Sequence, residues 1–308
     1  MKSTTTYKMG IGLMIFCLLP VVVGMIGSSW FNEGPIAAAN KYVSVPKDAG
    51  LESVTKIYDK QYEREVNLLH YKVSKPHDHR ILIKLDASTG ELLFYSDTSK
   101  RCTERVSTDV RISLNGAEKI ALDFIAKVTN LPGNSKLTNG ELLHVQGCGD
   151  KMYYEYWFEW NRVINSIGVV GENIRVIVHA SSGEVVAYNK QWFEEPPSNT
   201  EVRISEKEAA ELGRKRLLEE LRSWTSPLAD QVMEAILRAK ISETKLAYVR
   251  FSLSSVEDGL APKGLWLCWI VKYTYTELPE GLEILKGKWF TTYVQATTGE
   301  VIFRDAAK

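Results

Sequence analysis

Two histidines stand close together in His77-Asp78-His79, and alternate residues of an extended segment can offer two imidazoles to one metal ion. Two ligands do not close a site, and the position just after Pro76 suits a solvated turn. His144 and Cys148 flank a Gly-rich stretch and could pair a base with a thiol nucleophile. That chemistry needs a third group to orient the base, and none is recognisable. Glu91, Glu184 and Glu300 resemble a set of carboxylates, yet each sits in its own copy of a short motif, where keeping a hairpin strand exposed and soluble is role enough. His179 holds in the second copy the position of Asp86 in the first, and a position that changes type between copies does not point to shared catalysis. G-x-S-x-G, H-E-x-x-H, a phosphate-binding Gly loop and paired C-x-x-C motifs are missing from the sequence. The expectation is a protein that is not an enzyme and takes no cofactor or metal. An unrecognised hydrolase ranks third, to be revived by a pocket joining His144, His179 or the His77 pair to carboxylates.

The short motif organises the chain. Ala87-Ser88-Thr89-Gly90-Glu91, Ala180-Ser181-Ser182-Gly183-Glu184 and Ala296-Thr297-Thr298-Gly299-Glu300 share the pattern A-[ST]-[ST]-G-E, which composition alone produces at roughly one position in 10⁵. Each copy follows an alternating strand (Ile81–Leu85, Ile174–Val178, Phe290–Val294) and precedes a second apolar run. Each is predicted to be a β-hairpin whose Gly90, Gly183 or Gly299 takes the left-handed conformation and whose hydroxyls bond to nearby amides. Upstream of the second copy, Leu114–Val128 stacks Ile120, Phe124 and Val128 on one helical face behind a cap at Ser113 or Asn115. Ser205-Glu206-Lys207-Glu208 is a capping box that opens a helix running toward Trp224; after Pro227 come a helix from about Leu228 to Ala239 and a strand from Leu246 to Leu253. The aromatic strands Met152–Trp160 and Leu265–Tyr275 alternate with period two. In the former, Tyr154, Tyr156, Phe158 and Trp160 share one face, and Tyr153, Glu155, Trp157 and Glu159 the other. The common order is helix, strand, strand, hairpin.

That order divides the chain into an N-terminal segment 1–30, a first unit 31–106, a second unit 107–198 and a third unit 199–308 with an insertion around Trp224 to Ser242. The first unit reads as degenerate, with a weak helix over Pro35–Tyr42 before strands near Val54–Tyr62, Asn67–Val73 and Ile81–Leu85. Glu194 to Asn199 is the linker before the third. Met9–Ile26 carries no charge over 18 positions, just long enough to cross a bilayer. Lys2 and Lys8 precede it and Glu33 is the next charge, which puts the N-terminus in the cytoplasm and the rest outside. An uncleaved anchor is favoured; the rival is a signal peptide cut near Gly27-Ser28-Ser29, giving a secreted product. Lys plus Arg equals Asp plus Glu at 38 each, which removes the electrostatic case for nucleic acid. Outside the apolar segment, Cys102 and Cys148 sit in polar surroundings and form one candidate disulfide with Cys268 left over; three unpaired thiols is the equal alternative.

These residues resemble the PepSY and YcdB/YcdC-type repeat families of the microbial cell envelope. The likeness is best in the second unit, where Phe158-Glu159-Trp160-Asn161-Arg162-Val163-Ile164-Asn165 leads to Ile174–Val178, the Ala180 to Glu184 turn, Tyr188 and Trp192. The resemblance implies an α+β fold of repeated units, each a helix packed on an antiparallel sheet, following the N-terminal transmembrane helix. It also implies an extracytoplasmic location and a role in binding or restraining peptidases. The functional expectation is a non-catalytic module that regulates a peptidase or another envelope protein, with a passive spacer or assembly module as the second reading. Partner contact is expected on the outer face of the aromatic strand, at Tyr153, Trp157 and Trp192, bordering a groove for an extended peptide.

Overall fold

A computed structural model of the protein describes residues 33–73, 79–101, 109–146, 152–223, 225–251, 253–257, 259 and 261–306. Met9–Ile26, His77, Asp78, Cys102 and Cys148 lie outside the described residues. Among those described, no helix is long and apolar enough to cross a membrane.

The chain is α+β, built on a large, mostly antiparallel sheet. A helix α1 (Glu33–Tyr42) leads into a four-strand meander of β1 (Ala49–Asp59), β2 (Arg64–Val73), β3 (His79–Asp86) and β4 (Leu92–Asp97). The same sequence of elements recurs as α2 (Leu114–Val128), β5 (Ser135–Gln146), β6 (Met152–Ile164), β7 (Ile167–His179) and β8 (Val185–Gln191). The third set adds two short helices: α3 (Glu206–Leu221), α4 (Ala229–Arg238), β9 (Lys240–Arg250), α5 (Leu253–Glu257), β10 (Leu265–Thr274), β11 (Trp289–Gln295) and β12 (Val301–Ala306). The first meander, expected to be degenerate, has all four strands and a ten-residue helix.

Antiparallel pairing of β4 with β8 fuses the first two meanders into one eight-stranded sheet, β1-β2-β3-β4-β8-β7-β6-β5. Both α1 and α2 lie over one core, in which Ala39, Leu69, Ile83, Ala117, Phe158 and Tyr188 pack together. Period-two alternation in β6 turns Tyr156, Phe158 and Trp160 inward beneath α2, each such burial stabilising the fold by roughly 1.5–3 kcal/mol. In the third meander α3 and α4 cover Val271, Tyr273, Phe290 and Val294. A two-residue turn at Asn165-Ser166, both with positive φ (50° and 67°), closes the β6–β7 hairpin. Its tip, Ile164, Ile167 and Val169, packs against Tyr248, Leu265 and Leu267 of the third meander, and Val169 and Val170 pair in parallel with Tyr248 and Val249.

Local chemistry fixes the helix starts. The Ser113 hydroxyl accepts the Gly116 N–H at 3.2 Å, and the Ser205 hydroxyl accepts the Glu208 N–H at 3.3 Å while the Glu208 carboxylate takes the Ser205 N–H at 2.9 Å. Both caps end the same tetrapeptide, Val110-Arg111-Ile112-Ser113 and Val202-Arg203-Ile204-Ser205. The N–H groups of Arg111 and Ile112 donate to the Ala180 carbonyl at 3.0 Å, and those of Arg203 and Ile204 to the Ala296 carbonyl at 2.9 Å. Each helix is thereby tied to its own hairpin turn. Gly183 (φ +75°) and Gly299 (φ +78°) permit the approach, since a Cβ there would meet Ile112 Cδ1 at 2.7 Å and Leu212 Cδ1 at 2.8 Å.

The first strand of each meander carries one extra residue at the same register, Glu52, Thr138 or Ser242. Thr138 Oγ1 donates to the Glu159 carbonyl (3.1 Å) and Ser242 Oγ to that of Lys272 (3.3 Å), so the two bulges share one hydrogen bond. Beside them, the equivalent residues Leu51 and Ile241 remain 40% and 48% exposed.

Candidate functional site

The position before each A-[ST]-[ST]-G-E copy holds Asp86, His179 or Gln295, all three buried. One task unites these different side chains: each accepts hydrogen bonds from its own turn. Asp86 Oδ1 takes the N–H groups of Ser88 (2.8 Å) and Thr89 (3.0 Å), His179 Nδ1 takes that of Ser182 (3.2 Å), and Gln295 Oε1 takes the Thr298 hydroxyl. The turns are closed identically, the N–H of Gly90, Gly183 or Gly299 reaching the carbonyl four residues back at 2.9 Å. Burial alone would raise the Asp86 carboxyl, but bonds from Ser88, Thr89 and Arg64 outweigh it and hold the group well below the carboxylate range. The motif therefore shapes turns.

Accepting at Nδ1 leaves the His179 proton on Nε2, which is buried and has no hydrogen-bond partner among the described residues. Burial lowers the His179 pKa from 6.5, partly opposed by Glu155 and Glu184. Below about pH 6.5 the unfolded chain takes up a proton that the folded chain refuses, so stability is expected to fall as pH drops from there toward the depressed folded value. His179→Asn keeps an acceptor for the turn and is expected to flatten that slope, as read from urea midpoints between about pH 7 and 5.

After β4 the chain turns across the sheet face opposite α1 and α2. Lys100 Nζ donates to the Val185 carbonyl at 3.1 Å and Arg101 Nε to Glu155 at 2.8 Å, with Glu155 also taking the Trp157 indole N–H at 3.1 Å. Beneath this strap Tyr153 stacks on His179, ring centroids 5.5 Å apart. Of the three residues expected to border a partner groove, Tyr153 and Trp192 are buried, which corrects that expectation. Tyr153 is stacked on His179, and Trp192 follows Tyr188 onto the helix-covered side, into the core. Trp157 alone is half-exposed, with the Arg175 guanidinium 5.7 Å from its ring and Arg175 Nε bonded to Glu159 at 3.0 Å.

Around Trp157 the open face is polar and aromatic. One register line crosses all eight strands through Asn139, Glu159, Arg175, Asn189, Phe94, Lys84, Leu68 and Thr55. Lys84 lies over the rings of Tyr62 and Phe94 and bonds Asp59 at 2.7 Å; the Tyr62 hydroxyl donates to Asn189 at 2.6 Å. The sheet ends at β5, twelve residues long and paired with β6 on one side alone among the described strands. Glu141 of β5 faces Trp157 directly.

The remaining candidates fall apart. His144 stacks on Tyr154 at 4.6 Å. Cys268 is buried in β10, where burial pushes its thiol up to about 12. Among the described residues no three His, Cys, Asp or Glu side chains cluster closely enough to hold a metal ion. Sequence reasoning missed the repeated Val-Arg-Ile-Ser that ties helix to turn, although an exact tetrapeptide match was there to find.

A model of the YcdB, YcdC repeated domain matches residues 33–192, more than half of the chain. The chain belongs to the YcdB/YcdC repeated-domain family. The match begins at α1 and ends at Trp192, just beyond β8, so it takes in the whole eight-stranded sheet and both its helices. No curated protein matches. Among solved structures, the Bacillus megaterium YpeB C-terminal domain is similar over 90% of this chain and 97% of its own, at 13% identity and a TM-score of 0.43, a distance at which the likeness bears on neither function nor partner.

Proposed function

We propose that this member of the YcdB/YcdC repeated-domain family is a non-catalytic binding module of three PepSY-like units, held outside the cytoplasm through Met9–Ile26, that restrains or regulates another envelope protein. A peptidase is the partner class to test first. The observation that carries this reading is the twelve-residue edge of β5, without a strand partner among the described residues, beside the half-exposed Trp157. An unpaired strand edge offers backbone hydrogen bonds to any extended chain, and a neighbouring indole supplies a side-chain anchor. With a photo-crosslinker at exposed Glu141, intact cells are expected to yield an adduct with a protease, lost on Trp157→Ala while circular dichroism and the melting temperature stay as in the parent. If Trp157→Ala leaves folding and adduct both unchanged, the reading fails.

A passive spacer is the second reading, favoured by the charged junction between meanders. Arg250 at the end of β9 bonds Glu63 of the β1–β2 turn at 2.8 Å and also Glu195 of the linker, and lies 3.9 Å from the Phe193 ring. Crosslinks to copies of this chain alone would support the spacer.

A further inference from the structure

We propose that the groove between α3 and the open edge of β9 takes a strand of another protein. β9 pairs with β10 along its whole length, but on its other side β7 covers only Tyr248 and Val249. The edge from Lys240 to Leu246 is without a strand partner among the described residues. Along it runs a groove of about 810 Å³, floored by Ile241 and Thr244 and walled by Ala210, Arg214 and Leu218 of α3. Ile241 and Thr244 sit opposite Tyr273 and Val271, on the helix-facing side of the sheet. Even so, Ile241 is 48% exposed, next to the bulge at Ser242. A β-branched side chain exposed at an unpaired edge is a liability that folded chains ordinarily remove, and a groove of matching length explains why it is kept. Seven residues from Lys240 to Leu246 span about 23 Å as a strand, and the sixteen residues of α3 span about 24 Å as a helix, with Arg222 just past its end.

The charges say which segment fits. Lys207 pairs with Glu211 and Lys215 with Glu219 along the helix, and Arg214 is held by the carbonyls of Leu237 and Ala239. That leaves Glu206 at one end of the lining and Arg222 at the other, neither in an ion pair among the described residues. The occupant is therefore an extended segment of about seven residues, apolar at alternate positions, with a basic residue toward Glu206 and an acidic one toward Arg222. It continues an existing ladder, since β7 already occupies the far end of the same edge. This site shares no element with the β5 edge, so its failure leaves the Trp157 reading untouched and the reverse also holds.

The test titrates the purified protein, labelled for nuclear magnetic resonance, with a seven-residue peptide of alternating Val and Thr bearing Lys at one end and Glu at the other. Slowed hydrogen exchange is expected at amides within Lys240 to Leu246. A peptide with Pro at its centre, and the variant Ile241→Asp, are each expected to weaken binding about ten-fold or more. The paired change Glu206→Lys with Arg222→Glu is expected to weaken binding and to recover it when the peptide's end charges are exchanged. Ile241→Asp alters a half-exposed side chain, and the charge reversal, made on the helix surface, tests the site should that variant misfold. Protection on β1, β5 or β12 instead of β9, no protection at millimolar peptide, or equal binding of the Pro peptide would overturn the proposal.

Discussion

Arg162→Ala is expected to lower the unfolding free energy by about 3–5 kcal/mol, because it strands a buried carboxylate. Arg162 and Glu172 face each other across the β6–β7 hairpin, Glu172 fully buried and Arg162 7% exposed. One guanidinium nitrogen bonds both Glu172 oxygens, at 3.1 and 3.4 Å, and the Glu195 carbonyl at 3.0 Å. Glu172 also takes the Phe193 N–H at 3.3 Å. Removing the cation leaves an anion with no water within reach, and the hairpin must open or the carboxyl must take up a proton. The double replacement Arg162→Met with Glu172→Leu removes both charges and is expected to cost markedly less, since a buried pair is often worth little against an apolar one of similar volume. Urea unfolding of the three proteins, with the slope constant, checks the ordering. A single variant no less stable than the double one would show that water reaches Glu172.

The second large effect separates three glycines that look alike in the sequence. Gly90, Gly183 and Gly299 all have positive φ, so Ala at any of them carries backbone strain of roughly 1–2 kcal/mol. At Gly183 and Gly299 the new Cβ also drives into Ile112 and Leu212, bringing the expected loss to about 2–5 kcal/mol once overpacking is added. At Gly90 the nearest atom is Ala38 Cβ at 3.8 Å, an ordinary contact, so only the strain remains. Thermal melts should therefore rank Gly90→Ala well above the other two. Equal losses at all three positions would mean that the helices yield freely, contrary to the paired N–H bonds that hold Ile112 and Ile204 to their turns.

This contrast shows how far the residues alone could lead. The A-[ST]-[ST]-G-E turns were legible because their hydrogen bonds close within a few residues, so local sequence carries the geometry. The capping box at Ser205 was legible for the same reason, whereas at α2 the sequence left Ser113 and Asn115 open and the structure places the cap at Ser113. β5 was missed: its residues are mostly exposed and it holds Asn139-Gly140, so it shows no apolar face to mark it as a strand. α1 was underrated because a short helix with small side chains gains its stability from the sheet beneath it, through Ala39 and the neighbouring Val43.

The candidate surface divides in the same way. Alternation in Met152–Trp160 correctly set Phe158 and Trp160 against Trp157, because side-chain direction in a strand follows from neighbouring residues. That Tyr153, on the same face as Trp157, is buried and stacked on His179 of β7 was set by tertiary packing, which alternation within β6 does not carry. By itself the sequence determined the family, the hairpin turns, the capping box at Ser205 and the two faces of the aromatic strand. Only the tertiary structure decided that β4 joins β8, that Arg250 gathers Glu63 and Glu195, and that, among the described residues, the edge of β5 and the Lys240–Leu246 edge of β9 lack a strand partner. Those outcomes rest on pairings between residues distant in the chain, whose register is chosen by the whole sheet and leaves no local periodicity to read.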